Sequence, residues 1–177
     1  FTVAENQTSA ATITVTDADN DSISFSLSGT DADSFAIASS GALTFNNAPD
    51  YEIKESYSLI VSASDGTSSV SQTISINISN VNEVPQISAL SSTHSPDENQ
   101  TSIVSVSASD PDVNTNLTYS ISGTDSSLFS ISSSGVLTFK AAPDYETPGD
   151  ADGDNNYQIN VVVSDGSLSV TQAITIQ

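Results

Sequence analysis

The sequence predicts an all-β protein built as two tandem Greek-key β-sandwiches of about seven strands each. Three observations carry this expectation: the chain repeats itself once, its apolar residues alternate with hydroxyl residues, and the alternating runs are punctuated by turn residues.

The repeat is visible from the start. Glu5-Asn6-Gln7-Thr8-Ser9 returns as Glu98-Asn99-Gln100-Thr101-Ser102, and Asp17-Ala18-Asp19 as Asp110-Pro111-Asp112. Ser28-Gly29-Thr30-Asp31 returns as Ser122-Gly123-Thr124-Asp125, and Gly41-Ala42-Leu43-Thr44-Phe45 as Gly135-Val136-Leu137-Thr138-Phe139. Ala48-Pro49-Asp50-Tyr51-Glu52 matches Ala142-Pro143-Asp144-Tyr145-Glu146, after which the second copy carries a six-residue insertion before Tyr157 aligns with Tyr57. The repeat divides the chain into two domains, residues 1–84 and 85–177, joined at Asn80-Val81-Asn82-Glu83-Val84-Pro85. That seam is too short for a flexible tether, and its proline holds the preceding residue extended. Both ends fall inside the repeating pattern, so the chain reads as an excerpt of a longer array.

Within the first copy, Thr12–Thr16 and Ser22–Ser28 alternate apolar side chains with hydroxyls, as half-buried strands do. Leu59, Val61 and Ala63 mark a third strand, and Val70, Ile74, Ile76 and Ile78 a fourth. Asp65-Gly66 and Asp165-Gly166 sit between strong strands, where an Asp-Gly pair favours a tight hairpin. Pro49-Asp50 and Pro143-Asp144 begin loops.

Charge narrows the functional classes. With 22 acidic residues against 2 basic ones, the formal charge is −20. Such a chain cannot neutralise a phosphate backbone and is repelled by an anionic membrane. At 36% hydrophobic and 6% aromatic residues the cores are thin, and cysteine is absent. Metal ions are then the remaining staple for small β domains. No apolar run approaches the roughly 18 residues that span a bilayer.

The acids fall at strand ends. Glu5, Asp50, Glu52 and Glu83 belong to one end of the first copy and the seam. Asp110, Asp112 and Asp165 belong to the facing end of the second. Gathered carboxylates repel unless a cation sits among them, and hard oxygen donors in that number suit Ca²⁺. One histidine and no cysteine disfavour zinc or copper.

An early Glu, an Asp-x-Glu after Pro, an Asn-rich linker ending in Pro, an Asp-x-Asp and a later strand-terminal Asp together resemble the cadherin repeat, in particular the cadherin-like repeats of large bacterial surface proteins. The resemblance covers essentially the whole chain and implies an immunoglobulin-like sandwich. It also implies calcium at the repeat junction, held by Glu5, Asp50 and Glu52, by Asn82 (through its carbonyl) and Glu83, and by Asp110, Asp112 and Asp165. Asn114 or Asn116 would add a side-chain oxygen. Tyr51 replaces the family's Arg, Asn80 stands where an acid is usual, and the seam is one residue short, which implies fewer ions than in animal junctions. Asp17, Asp19 and Asp65 form a second half-site, and Glu98, Asp144 and Glu146 a third. The loop Asp150–Asn156 spaces its acids like an EF-hand loop but has Val161 at the position of the closing Glu, so a self-contained calcium site and a solvated acidic turn both stay open.

The expected role is that of calcium-rigidified extracellular repeats of a bacterial adhesin or surface protein, mediating adhesion or acting as a stiff extender. Its partners would be neighbouring repeats and a homophilic or carbohydrate ligand. The alternative is a calcium-dependent carbohydrate-binding module, for which the tyrosines are the only aromatic platform candidates. Enzyme activity is not expected: His94 has no counterpart in the first copy, and thin sandwiches without Trp offer carboxylate pairs no cleft.

Overall fold

The computed structural model describes residues 1–177, with no helix longer than a single 3-10 turn. No helix is long and apolar enough to cross a membrane. The chain divides into two compact units, Phe1–Val81 and Asn82–Gln177.

Unit 1 holds seven strands: β1 (Thr2–Ala4), β2 (Ser9–Thr12), β3 (Ser24–Ser28), β4 (Phe35–Ile37), β5 (Ala42–Phe45), β6 (Ser56–Ser64) and β7 (Ser69–Ser79). One sheet runs β1-β7-β6-β3 and the other β2-β5-β4. Unit 2 repeats the plan with β8 (Gln86–Ser88), β9 (Thr93–His94), β10 (Ser102–Ser105), β11 (Ser107–Ser109), β12 (Thr118–Ser122), β13 (Phe129–Ile131), β14 (Val136–Phe139), β15 (Tyr157–Ser164) and β16 (Ser169–Ile176). Its sheets run β12-β15-β16-β9 and β10-β14-β13, with β8 and β11 paired beside them. Only β1 on β7 and β9 on β16 pair in parallel. Unit 2 has two strands more: β8, in a stretch with no equivalent in the first copy, and β11, whose counterpart Thr14–Thr16 is not a strand.

Alternation builds the cores. On β6, Leu59, Val61 and Ala63 point inward while their neighbours face out, and Ile74, Ile76 and Ile78 do the same on β7. With Val3, Phe35, Leu43 and Phe45, all of these but Ala63 form a single cluster in unit 1. Each such aliphatic side chain contributes roughly 1.5–3 kcal/mol on burial. At the centre, Phe35, Phe45 and Tyr57 meet with ring centroids 4.4, 5.6 and 5.2 Å apart. Phe129, Phe139 and Tyr157 repeat the arrangement at 4.5, 5.8 and 5.3 Å. The tilted and edge-on geometries are those that aromatic quadrupoles favour.

The strand expected over Thr12–Thr16 stops at Thr12, and the one expected over Ser22–Ser28 begins at Ser24. Thr14–Thr16 alternate correctly but have no neighbouring strand to pair with. Their counterparts Ser107–Ser109 are a strand, β11, because β8 lies antiparallel to them. Both hairpins expected at Asp65-Gly66 and Asp165-Gly166 form, between β6 and β7 and between β15 and β16.

Candidate metal centre

Each unit positions its share of the acids by backbone amides. In unit 1, Glu5 follows β1, and its own amide is tied to the Ser79 carbonyl at 3.1 Å. Its side chain is only 3% exposed, and the two carboxylate oxygens accept hydrogen bonds from the Val81 amide at 2.8 Å and the Tyr51 amide at 2.7 Å. One carboxylate therefore clamps the end of β7 to the loop after β5. In that loop the Asp50 carboxylate accepts from the Ile53 amide at 3.0 Å. Asn80 donates its side-chain amide to Glu52 at 3.1 Å. Glu5, Asp50 and Glu52 thus share one end of the unit, with Asn80 as a further polar group there.

Unit 2 gathers its share at its own first residues. The Glu83 amide donates to Asp112 at 2.7 Å, and the Asn82 side chain donates to Asp165 at 2.7 Å. The Asp112 amide in turn donates to Asp110 at 2.9 Å. Asp165 closes the β15–β16 hairpin by accepting from the amides of Ser167 at 2.5 Å and Leu168 at 2.6 Å. The Asn82 side chain foremost, then those two amides, holds the Asp165 carboxyl below the ordinary Asp range. Asp65, its counterpart in unit 1, is held down by the amides of Ser68 and Thr67. Asn116 is exposed, and no hydrogen bond joins it to this group.

One atom stands apart. The second carboxylate oxygen of Asp110 is shielded from solvent and no hydrogen-bond donor reaches it. A buried carboxylate oxygen without a donor is costly unless a cation meets it. In a chain with no cysteine and one histidine, a cation meeting it would be held by hard oxygen donors, which suits Ca²⁺ and not softer ions.

Two further acidic groups lie in unit 2. Carboxylate oxygens of Glu98, Asp144 and Glu146 lie within 4.8 Å of one another, as do those of Asp150, Asp152 and Asp154. Glu98 accepts from the Tyr145 amide at 3.1 Å, repeating the Glu5 to Tyr51 bond. In the long loop, burial works to raise the Asp150 pKa, but the Asp154 amide, the Asp152 side chain and the Asn155 amide outweigh it and lower it. Asp152 is raised, first by sharing a hydrogen bond with Asp150 and then by the charge of Asp154.

Sequence reading passed over Asp31 and Asp125. Both are anchors beneath the aromatic clusters: Asp31 accepts from the Ser58 amide at 2.7 Å and is paired with the Lys54 ammonium. Asp125, 4% exposed, accepts from Gln158 at 2.7 Å and Ala151 at 2.9 Å. The signal was present, since both end the repeated Ser-Gly-Thr-Asp. Four of the five tyrosines pack in or against the cores and only Tyr145 stands out, at 68% exposed, so no multi-ring platform supports the carbohydrate-binding alternative.

A family model described as the cadherin domain matches residues 1–79 and again 92–177. No curated protein matches the chain. Among solved structures, human protocadherin-24 EC1-2 is 22% identical with a TM-score of 0.63, covering 100% of this chain and 93% of that one. Mouse cadherin-23 EC22-24 is 24% identical with a TM-score of 0.61, covering 100% of this chain and 61% of that one. Drosophila N-cadherin EC1-4 is 20% identical with a TM-score of 0.62, covering 99% of this chain and 46% of that one.

Proposed function

Because the chain belongs to the cadherin domain family, with two tandem domains, we propose that it is a calcium-dependent pair of repeats from a bacterial surface adhesin. Cadherin domains are extracellular, adhesion-type and typically non-enzymatic, and they generally bind Ca²⁺ where repeats join. In this reading Glu5, Asp50 and Glu52 supply ligands from unit 1. Asn82, through its carbonyl, and Glu83 supply them from the linker, and Asp110, Asp112 and Asp165 from unit 2. Asn116 adds a side-chain oxygen. Boundaries at 1–84 and 85–177 assign the linker to the first repeat.

The observation that carries the reading is the donorless, shielded oxygen of Asp110. It stands in a chain of charge −20 whose acids collect at strand ends. Bound calcium would supply positive charge among these carboxylates. The chain's own residues do the rest: Glu5 fixes the Tyr51 loop against Val81, Asp112 holds the Glu83 amide, and Asn82 orients Asp165. Binding that requires ligands from both repeats stabilises their joined state by mass action, so the pair stiffens as calcium rises. Adhesion then proceeds through adjacent repeats and homophilic contacts.

Calorimetric titration with calcium tests the assignment. The chain should bind Ca²⁺ with a defined stoichiometry, and Asp110→Asn should weaken binding at least tenfold while leaving the fold intact by circular dichroism. Equal affinity in the variant would remove Asp110 from the site.

A further inference from the structure

Three Asp-Gly pairs occur in the chain: Asp65-Gly66, Asp152-Gly153 and Asp165-Gly166. In each, the aspartyl side-chain carbon is one ring closure away from the nitrogen of the next residue, and glycine puts no side chain in the way. Space does not separate the three. Their glycines adopt positive φ, at 95°, 75° and 100°, and a Cβ built on any of them meets nothing within 4 Å. The difference lies in which of the reacting atoms are already held.

The two hairpin pairs are held at both reacting ends. The Gly66 amide donates to the Ser64 hydroxyl at 3.1 Å, and the Gly166 amide to the Ser164 hydroxyl at 3.1 Å. One Asp65 carboxylate oxygen accepts from the amides of Thr67 at 2.7 Å and Ser68 at 2.6 Å. The amides of Ser167 and Leu168 bind Asp165 in the same way, and the Asn82 side chain occupies its second oxygen at 2.7 Å. Such Asx turns commit the carboxylate to amides two and three residues on instead of to the glycine nitrogen.

The third pair is held at neither end. Its neighbours are pinned: the Ala151 amide donates to Asp125 at 2.9 Å, and the amides of Asp154 and Asn155 donate to Asp150 at 2.9 and 3.2 Å. Between them the amides of Asp152 and Gly153 donate to no protein group, and no amide of another residue reaches the Asp152 carboxylate. Both residues are exposed. The pair is the unsupported crest of a loop whose two feet are fixed.

We infer that Asp152-Gly153 is a site of spontaneous covalent modification, at which the main chain is rerouted through the Asp152 side chain as an isoaspartyl linkage. The Gly153 nitrogen attacks the side-chain carboxylic carbon of Asp152. A C–N bond forms, the C–OH bond breaks, and the hydroxyl leaves with the amide proton as water. A water molecule then opens the cyclic imide. Cleavage at the side-chain carbonyl restores Asp, whereas cleavage at the main-chain carbonyl leaves Gly153 joined through the side chain. The step needs no oxidant or reductant, and the final mass equals the starting mass. The product adds one carbon to the main chain between Ala151 and Asp154, whose amides are tied to Asp125 and Asp150.

The test incubates the full chain at neutral pH, folded and, in parallel, unfolded in guanidinium chloride. Chymotryptic peptides are then compared, the one bounded by Tyr145 and Tyr157 carrying the third pair, and isoaspartate is assigned by electron-transfer fragmentation. Each pair's rate in guanidinium is its own reference. In the folded chain, Asp152 should stay within about threefold of its reference. Asp65 and Asp165 should fall about tenfold or more below theirs, because closure at the hairpins waits for local opening. The assignment is overturned if folding slows Asp152 as much as the hairpin pairs, or if the hairpin pairs keep pace with Asp152 in the folded chain.

Discussion

The two copies anchor the same carboxylate in different ways. Asp31 and Asp125 each lie at the end of Ser-Gly-Thr-Asp, and each accepts an amide from β6 or β15 at 2.7 Å. In unit 1 the other oxygen is neutralised by Lys54, whose ammonium also stands 4.5 Å over the Tyr57 ring. In unit 2 no lysine is present at that place. The inserted loop instead delivers the Ala151 amide to Asp125, and the Gly149 amide donates to the Tyr157 hydroxyl at 3.3 Å. A six-residue insertion has taken over the work of one cation. One anchor is electrostatic and half open to water; the other is made of oriented backbone dipoles in a nearly closed site.

The largest test of that contrast is Asp125→Ala. It leaves the Ala151 and Gln158 amides without acceptors where water is scarce, and should cost about 2–4 kcal/mol in the unit 2 unfolding transition by scanning calorimetry. Asp31→Ala should cost less, about 1–2 kcal/mol, because the Lys54 side chain is 41% exposed and its ammonium returns to water. Equal losses in the two units would break the comparison. Smaller again is Lys54→Met, worth about 0.5–1 kcal/mol, which should also remove the salt dependence of the unit 1 transition.

Acid titration sharpens the point. The Lys54 hydrogen bond first, then the Ser58 amide, lowers the Asp31 pKa. A carboxyl lowered on folding stabilises above its unfolded value, about 3.9, and that contribution is lost as pH falls through the lower folded value. Asp152 has the opposite sign: its raised pKa favours the folded loop at low pH, and the benefit fades as pH rises through the folded value. Calorimetric melts from about pH 5 downward to about pH 2 should therefore show Lys54→Met flattening the acid limb of unit 1, with no change in unit 2.

Much of the fold was legible because alternation and turn chemistry are local. β6, β7 and both Asp-Gly hairpins arise from residues within a few positions of each other. Thr14–Thr16 show where that reading stops: their pattern is that of a strand, but a strand exists only where a neighbour completes the ladder, as β8 does for β11. The seam acids were legible from their place at strand ends. The clamp made by Glu5 was not, since it joins the Tyr51 and Val81 amides far along the chain. Asp31 and Asp125 escaped notice for a similar reason, as the second partner of each, Lys54 or Ala151, lies in a loop of unequal length.

If calcium stiffens the pair as proposed, small-angle scattering with and without chelator reads it out. Removing calcium should broaden the distribution of dimensions, and restoring calcium should reverse the change. Identical scattering in both conditions would contradict it.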